Sequence, residues 1–169
     1  MPRLRVIALL LALAFAGCEA LAGGGGGEPA DRARVGRVVR VVDGDTIHVR
    51  LGGREEKVRY IGVDTPESVK PGTPVQCFAE RASAYNERLV DGERVRVVRD
   101  AEARDRYGRL LAYVYRARDE LFVNAALVRG GYAQPLTIPP NVAHAAEFRR
   151  LAAVARRAGR GLWSACGSS

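Results

Sequence analysis

Histidine and cysteine are scarce in this chain of 169 residues, and that scarcity excludes some chemistry at the outset. The two histidines, His48 and His144, and the three cysteines, Cys18, Cys77 and Cys166, stand at no spacing that would assemble a zinc site. A histidine-based hydrolytic site needs an imidazole beside the reacting group, and neither histidine falls within the chemistry-bearing motifs described below. Both are expected in ordinary surface roles. The apolar run Val6–Ala16 is shorter than the ~20 residues that a membrane-spanning helix needs. No internal repeat is present. What remains is the composition of an ordinary globular protein, 47% hydrophobic and 27% charged, with room for one domain and a real core. A formal charge of +8 favours an anionic partner such as nucleic acid or a membrane surface, although arginines spread over a solvated face would give the same number.

The first 30 residues read as an export signal. Arg3 and Arg5 precede the apolar run, and Phe15-Ala16-Gly17-Cys18 follows it as a small-residue processing site. The segment resembles a bacterial lipobox, in which cleavage after residue 17 leaves Cys18 as a lipid-modified first residue. Phe15 stands where leucine is usual, and Ala20-Leu21-Ala22 offers an ordinary cleavage site as the alternative. Residues 18–34, with Gly23 to Gly27, read as a flexible tether, and the folded domain is expected over residues 35–165, with a tail at 166–169. Removing residues 1–17 takes away Arg3 and Arg5 and no acid, so the mature chain stays basic. In an exported protein Cys77 and Cys166 are expected to form a disulfide tying the first helix to the C-terminal tail, with two free thiols as the alternative.

From Val35 the pattern turns to β structure. Val35, Val38, Val39, Val41 and Val42 form a β-branched run, Asp43-Gly44 signals a tight turn, and Thr46, Ile47, Val49 and Leu51 continue beyond it. Gly52-Gly53 makes a second turn, and Lys57 to Val63 a third strand. Gln76 to Val90 changes period, with Phe78, Ala82, Tyr85 and Leu89 on one helical face. Arg94 to Val98 and Leu110 to Tyr115 read as the fourth and fifth strands. Asn124 is expected to cap a short helix that Gly130-Gly131 ends, and a last helix over about 142–158 turns Phe148, Leu151, Ala152 and Ala155 inward, with Trp163 packed beneath it. A meander of three strands, a helix, and two further strands is the pattern of a mainly β, α+β domain: a five-stranded OB-type barrel with about three helices.

The stretch Arg59-Tyr-Ile-Gly-Val-Asp64-Thr65-Pro66-Glu67 sets a cation and two carboxylates at the exit of an apolar strand, which folding alone does not require. Such a group can hold a divalent metal through hard oxygens, grip a phosphate and activate a water, so it is a candidate phosphodiesterase site. Arginine suits the phosphate better than lysine because its planar fork bonds two oxygens at once.

Three motifs belong together with it: Val42-Asp43-Gly44-Asp45-Thr46, Val63-Asp64-Thr65-Pro66-Glu67 after Arg59, and Asp105-Arg106-Tyr107-Gly108-Arg109-Leu110-Leu111-Ala112-Tyr113. With Val123 to Arg129 and Gly161-Leu162-Trp163-Ser164 they resemble the thermonuclease, or staphylococcal-nuclease-like, family over about residues 35–165. The resemblance implies calcium-dependent cleavage of DNA and RNA leaving 3′-phosphate ends. It implies Asp45 and Asp64 as carboxylate ligands of Ca²⁺, the Thr65 backbone carbonyl as a third, Glu67 as the group that orients or deprotonates water, and Arg59 and Arg109 as the phosphate clamp. Arg106 and Tyr107 stand where they can touch phosphate. The chain departs from the family at Leu136-Thr137-Ile138, where two tyrosines usually line the nucleotide pocket. Base stacking is therefore expected to be weaker, by about 1–3 kcal/mol for each lost platform. A monomer with no protein partner is expected, its membrane contact running through the lipid anchor. The alternative is a non-catalytic OB module that binds nucleic acid or protein at the cell surface.

Overall fold

The computed structural model describes residues 33–68, 72 and 74–167. The expected signal segment, the lipidation site Cys18 and nearly all of the tether lie outside the described residues.

The β-branched run folds as β1 (Ala33–Val41), followed by β2 (Thr46–Leu51) and β3 (Arg54–Tyr60), an antiparallel meander. Along β2 the side chains of Ile47, Val49 and Leu51 are fully buried while His48 and Arg50 face outward, the period of two that a half-buried strand requires. The chain then forms β4 (Val63–Asp64), helix α1 (Ala79–Val90), β5 (Arg94–Val98) and β6 (Leu110–Arg116). It continues through β7 (Leu121–Phe122), α2 (Val123–Gly130), β8 (Gln134–Pro135), α3 (Ala145–Arg157) and the single turn α4 (Leu162–Ala165).

The main sheet runs β3-β2-β1-β5-β6-β7, and β6 also pairs with β3 in parallel, Val58 opposite Leu110 and Tyr60 opposite Ala112. That last pairing closes five strands into a barrel of the OB type. The strands' inner faces and α2 enclose a core that includes Ile47, Leu51, Tyr60 and Leu127, with Phe148 of α3 against it. Each such side chain stabilises by roughly 1.5–3 kcal/mol on burial.

Several details differ from the sequence expectations. The third strand begins at Arg54 and stops at Tyr60, because Gly62 takes φ +78° and a Cβ there would lie 2.5 Å from the Phe148 ring. The chain turns at Gly62, and Val63–Asp64 pairs with Gln134–Pro135 in a separate two-stranded sheet. Helix α1 buries Ala79, Ala82, Asn86 and Val90, one step round from the expected face, because the small alanines let the helix approach closely. Tyr85 stacks instead on Tyr132, ring centroids 3.9 Å apart. Asn124 is no cap. It lies inside α2, buried, donating to the Ile61 carbonyl and accepting from the Val114 amide, each at 2.9 Å. His144 sits among the rings of Tyr113, Phe122 and Phe148 rather than at the open surface. His48 is largely covered too, between Arg40 at 3.0 Å and Glu55 at 2.6 Å. Trp163 lies beside α3 with the Arg156 guanidinium 4.2 Å above its ring.

Candidate active site

Three segments converge at one end of the barrel, each fixed by hydrogen bonds to its own backbone. The β1–β2 turn is closed by Val42 N–H donating to the Thr46 carbonyl at 2.9 Å, and it is tied to β3 by Tyr60 N–H donating to the Asp45 carbonyl at 2.9 Å. Gly44 lets the 63–67 segment pack onto this turn, since a Cβ there would stand 2.7 Å from Thr65 Oγ1. The 105–109 loop closes through Asp105, whose Oδ1 accepts from the amides of Tyr107 and Arg109.

Asp45 is the buried centre. Its Oδ2 accepts from Thr65 N–H at 2.8 Å, from Thr65 Oγ1 at 2.9 Å and from Arg59 Nη1 at 2.9 Å, while Oδ1 accepts from Thr46 Oγ1 at 3.2 Å. Arg59 then reaches Asp64, Nη2 to Oδ1 at 2.9 Å, and donates to the Val63 carbonyl at 2.9 Å. One largely buried guanidinium therefore bridges two carboxylates. Asp43 lies beside them, its Oδ1 accepting from Asp45 N–H; burial first, and then the Asp45 charge, pushes its carboxyl up to about 6.

Glu67 faces the same cavity of about 310 Å³, together with Asp43, Asp45, Arg59, Asp64, Thr65, Tyr107 and Arg109. Gln76 clasps the Glu67 backbone from both sides, donating from its amide to the Glu67 carbonyl at 3.0 Å and accepting the Glu67 N–H on Oε1 at 2.8 Å. Arg109 approaches from β6 and is held by Asp105, Nε to Oδ2 at 2.6 Å. Burial opposes ionisation of Asp105, but the hydrogen bonds from the Arg109 side chain and the loop amides outweigh it and hold the carboxyl below its usual range. Arg106 and the exposed Tyr107 stand at the rim, the phenol accepting from Arg106 Nη2 at 2.6 Å. Both also line an adjoining cavity of about 490 Å³ with Glu102, Leu136, Ile138 and Asn141.

The sequence-expected residues Asp45, Arg59, Asp64, Thr65, Glu67 and Arg109 thus share one cavity. Asn86 and Gln76 went unseen. Asn86 is fully buried on α1, donating to the Asp43 carbonyl and accepting from Tyr60 Oη, each at 2.9 Å, so it carries the position of the β1–β2 turn into the helix. A polar residue within an otherwise buried helical face was the available signal.

The oxygen-bearing side chains that line the cavity are carboxylates and hydroxyls, with no thiol or imidazole among them, a set that suits a hard divalent cation rather than zinc or copper. Among the described residues no three carboxylate, imidazole or thiol side chains converge as a metal cage.

Barrel and site together define an OB-fold protein with an acidic, oxygen-lined cleft flanked by two arginines. Residues 57–165 match the family described as staphylococcal nuclease homologue, and the chain belongs to that family. It is 49% identical over 104 residues to a thermonuclease of Staphylococcus intermedius, a match covering 62% of this chain and 61% of that protein. A thermonuclease of Staphylococcus hyicus is 40% identical over 128 residues, covering 76% and 75%. The endonuclease YncB of Bacillus subtilis is 39% identical over 130 residues, covering 76% and 61%. The chain thus spans about three fifths of the length of two of these relatives.

Proposed function

We propose that this chain is an exported, calcium-dependent nuclease that hydrolyses phosphodiester bonds of DNA and RNA by in-line attack of water, leaving 3′-phosphate ends. The observation that carries the reading is the shared cavity in which Arg59 bridges Asp45 and Asp64 while Glu67 and Arg109 face the same space. The relatives' names, thermonuclease and endonuclease, point the same way.

In this reading Asp45, Asp64 and the Thr65 carbonyl hold Ca²⁺, which when bound supplies positive charge next to the scissile phosphate. Glu67 orients a water and takes its proton, a contribution of typically about 10²–10⁴-fold. Arg59 and Arg109 offer planar forks to the phosphate oxygens and stabilise the charge that builds up on them in the transition state. Arg106 and Tyr107 hold the neighbouring part of the strand. Leu136 and Ile138, both exposed at the larger cavity, give the base an apolar wall rather than a stacking ring. Export would follow cleavage after residue 17, with Cys18 as the lipid-bearing anchor and the domain acting as a monomer.

Incubating the full chain with single-stranded DNA, with calcium or with chelator, and identifying the termini tests the proposal. Calcium-dependent cleavage to 3′-phosphates is expected; calcium-independent cleavage or 5′-phosphate ends would overturn the mechanism.

A further inference from the structure

Arg59 lies on the outer side of β3, and the pairing register shows what shares that side. Two residues back along the strand is Lys57, which stands opposite His48 on β2, and His48 stands opposite Arg40 on β1. The outward position of these side chains is confirmed by the contact of Arg40 Nη2 with the His48 ring at 3.0 Å. One step further along β2, Arg50 stands opposite Arg37 on β1, and Arg37 stands opposite Arg94 on β5. All three of these arginines are exposed. Glu55, the remaining neighbour of Arg50, is drawn off by His48, Oε1 to Nδ1 at 2.6 Å. Among the described residues neither Arg50, Arg94 nor Lys57 has a carboxylate within ion-pair distance, and Arg37 is turned to the Gly92 carbonyl at 2.7 Å.

Folding gives no reason for this row. Like charges directly opposite one another on adjacent strands destabilise a sheet, and here the barrel sets three guanidiniums side by side across β2, β1 and β5. Between the row and the cleft the same face carries Lys57, His48 and Arg40, with the Glu55 carboxylate held on His48. From the level of Thr46, opposite Arg59, to Arg50 is about 13 Å along β2, and the row itself spans about 10 Å across two strand spacings. Val35 and Val39 lie exposed on the same face of β1 and offer apolar contact between the charges.

We propose that this outer face of β1, β2, β3 and β5 is a track for the sugar-phosphate backbone of a single nucleic-acid strand, leading into the cleft at Arg59. The inference rests on the nuclease reading for the direction of the track, but the binding it claims stands apart from cleavage. A polyanion is the occupant because the face presents cations at strand spacing, on the same side of the sheet as the arginine assigned to the phosphate. A strand laid along it gives up condensed counterions to each cation it meets.

The test compares the full chain with a variant carrying Arg37→Gln, Arg50→Gln and Arg94→Gln, none of which belongs to the cleft. Binding of a single-stranded DNA of about 30 nucleotides is measured in chelator across a salt series. Loss of three phosphate contacts at ~0.7 each is expected to make the log–log salt slope shallower by about 2, with affinity at low salt falling at least tenfold. Turnover of a dinucleotide, too short to reach the row, should stay within about twofold of the parent, and the thermal midpoint should be equal or slightly higher because like charges have been removed. Unchanged strand affinity and slope would overturn the track whether or not the chain cleaves DNA. Weakened binding in a chain that cleaves nothing would uphold the track and defeat the nuclease reading. Loss of binding to vesicles rich in anionic lipid, with strand binding intact, would reassign the face to a membrane and overturn the proposal.

Discussion

Arg59 makes its decisive contacts with two nitrogens, Nη1 on Asp45 and Nη2 on Asp64, and its side chain is only 14% exposed. Removing it leaves Asp45, the one buried carboxylate among the described residues, with only hydroxyl and amide donors. Breaking a buried pair on one side costs about 3–5 kcal/mol where no water can take over; here the neighbouring cavity admits water, so the loss should fall below that range. Arg109 pairs with Asp105 at 2.6 Å and so helps to close its loop, but that pair is more exposed than the one between Arg59 and Asp45. Arg59→Ala and Arg109→Ala are therefore both expected to reduce turnover at least as strongly as Glu67→Gln, by about 10²-fold or more. Arg59→Ala should lower the thermal midpoint measured in chelator by more than Arg109→Ala does, because the pair it breaks is the more buried one. The check is turnover at saturating DNA and calcium alongside calorimetry, and near-normal turnover in either arginine variant would defeat the assignment of transition-state charge stabilisation to these side chains.

Between β5 and β6 the chain delivers Tyr107 and Arg109 to the cleft, and that segment is pinned to the barrel by Arg104. Its guanidinium forks onto Glu56 of β3 with both contacts at 2.9 Å, and Nη1 also donates to the Gly108 carbonyl at 2.8 Å. The fork holds the Glu56 carboxyl below its ordinary value, as Arg109 and the loop amides do for Asp105. Both carboxylates have folded pKa values depressed below the unfolded ones. Their contribution is thus complete above the ordinary carboxylate range, about pH 4–5, and is lost as pH falls through the depressed values. Glu56→Gln should lower the thermal midpoint at pH 7 and flatten its decline on acidification below about pH 4, measured by circular dichroism; parallel pH curves for variant and parent would contradict this. The elements themselves were partly legible in advance. β-branched alternation and the Asp43-Gly44 and Gly52-Gly53 turns are local signals, so the meander followed from them, and Asp64 to Glu67 is contiguous, so half the cleft was visible in one stretch. Asn86, Asn124 and Gln76 were not legible in the same way. Each is an amide whose partners lie far off or on another segment, Asn124 with Ile61 and Asn86 with Asp43, and nothing local records which carbonyl a buried amide will meet. The face of α1 was legible at Ala82 and otherwise misplaced for a related reason: bulk marked Phe78, Tyr85 and Leu89, whereas close approach to the barrel buried Ala79, Asn86 and Val90 beside Ala82.

Across the whole molecule one covalent link joins what the fold keeps distant in sequence. Cys77 and Cys166 are bonded with their Cα atoms 5.8 Å apart and a sequence separation of 89, a loop that contains α1, β5, β6, α2 and α3. The link stands at the entrance to α1, immediately after Gln76, which clasps the Glu67 backbone in both directions. Stability and chemistry are thus coupled through two adjacent residues. Closing so long a loop restricts the unfolded chain by about 4–5 kcal/mol on the chain-entropy account. For a domain of this size 1 kcal/mol corresponds to roughly 2–8 °C, so replacing both cysteines by serine should lower the thermal midpoint by more than about 8 °C. At a temperature where the double variant is still folded, the clasp at Gln76 should loosen and turnover should fall, while strand binding measured in chelator stays near the parent value, because the arginine row lies on β1, β2 and β5, outside the Gln76–Glu67 segment that the link adjoins. Peptide mass spectrometry without reductant checks the bond itself. Two free thiols in the native protein, or a variant as stable and as active as the parent, would break the connection between the cross-link and Glu67.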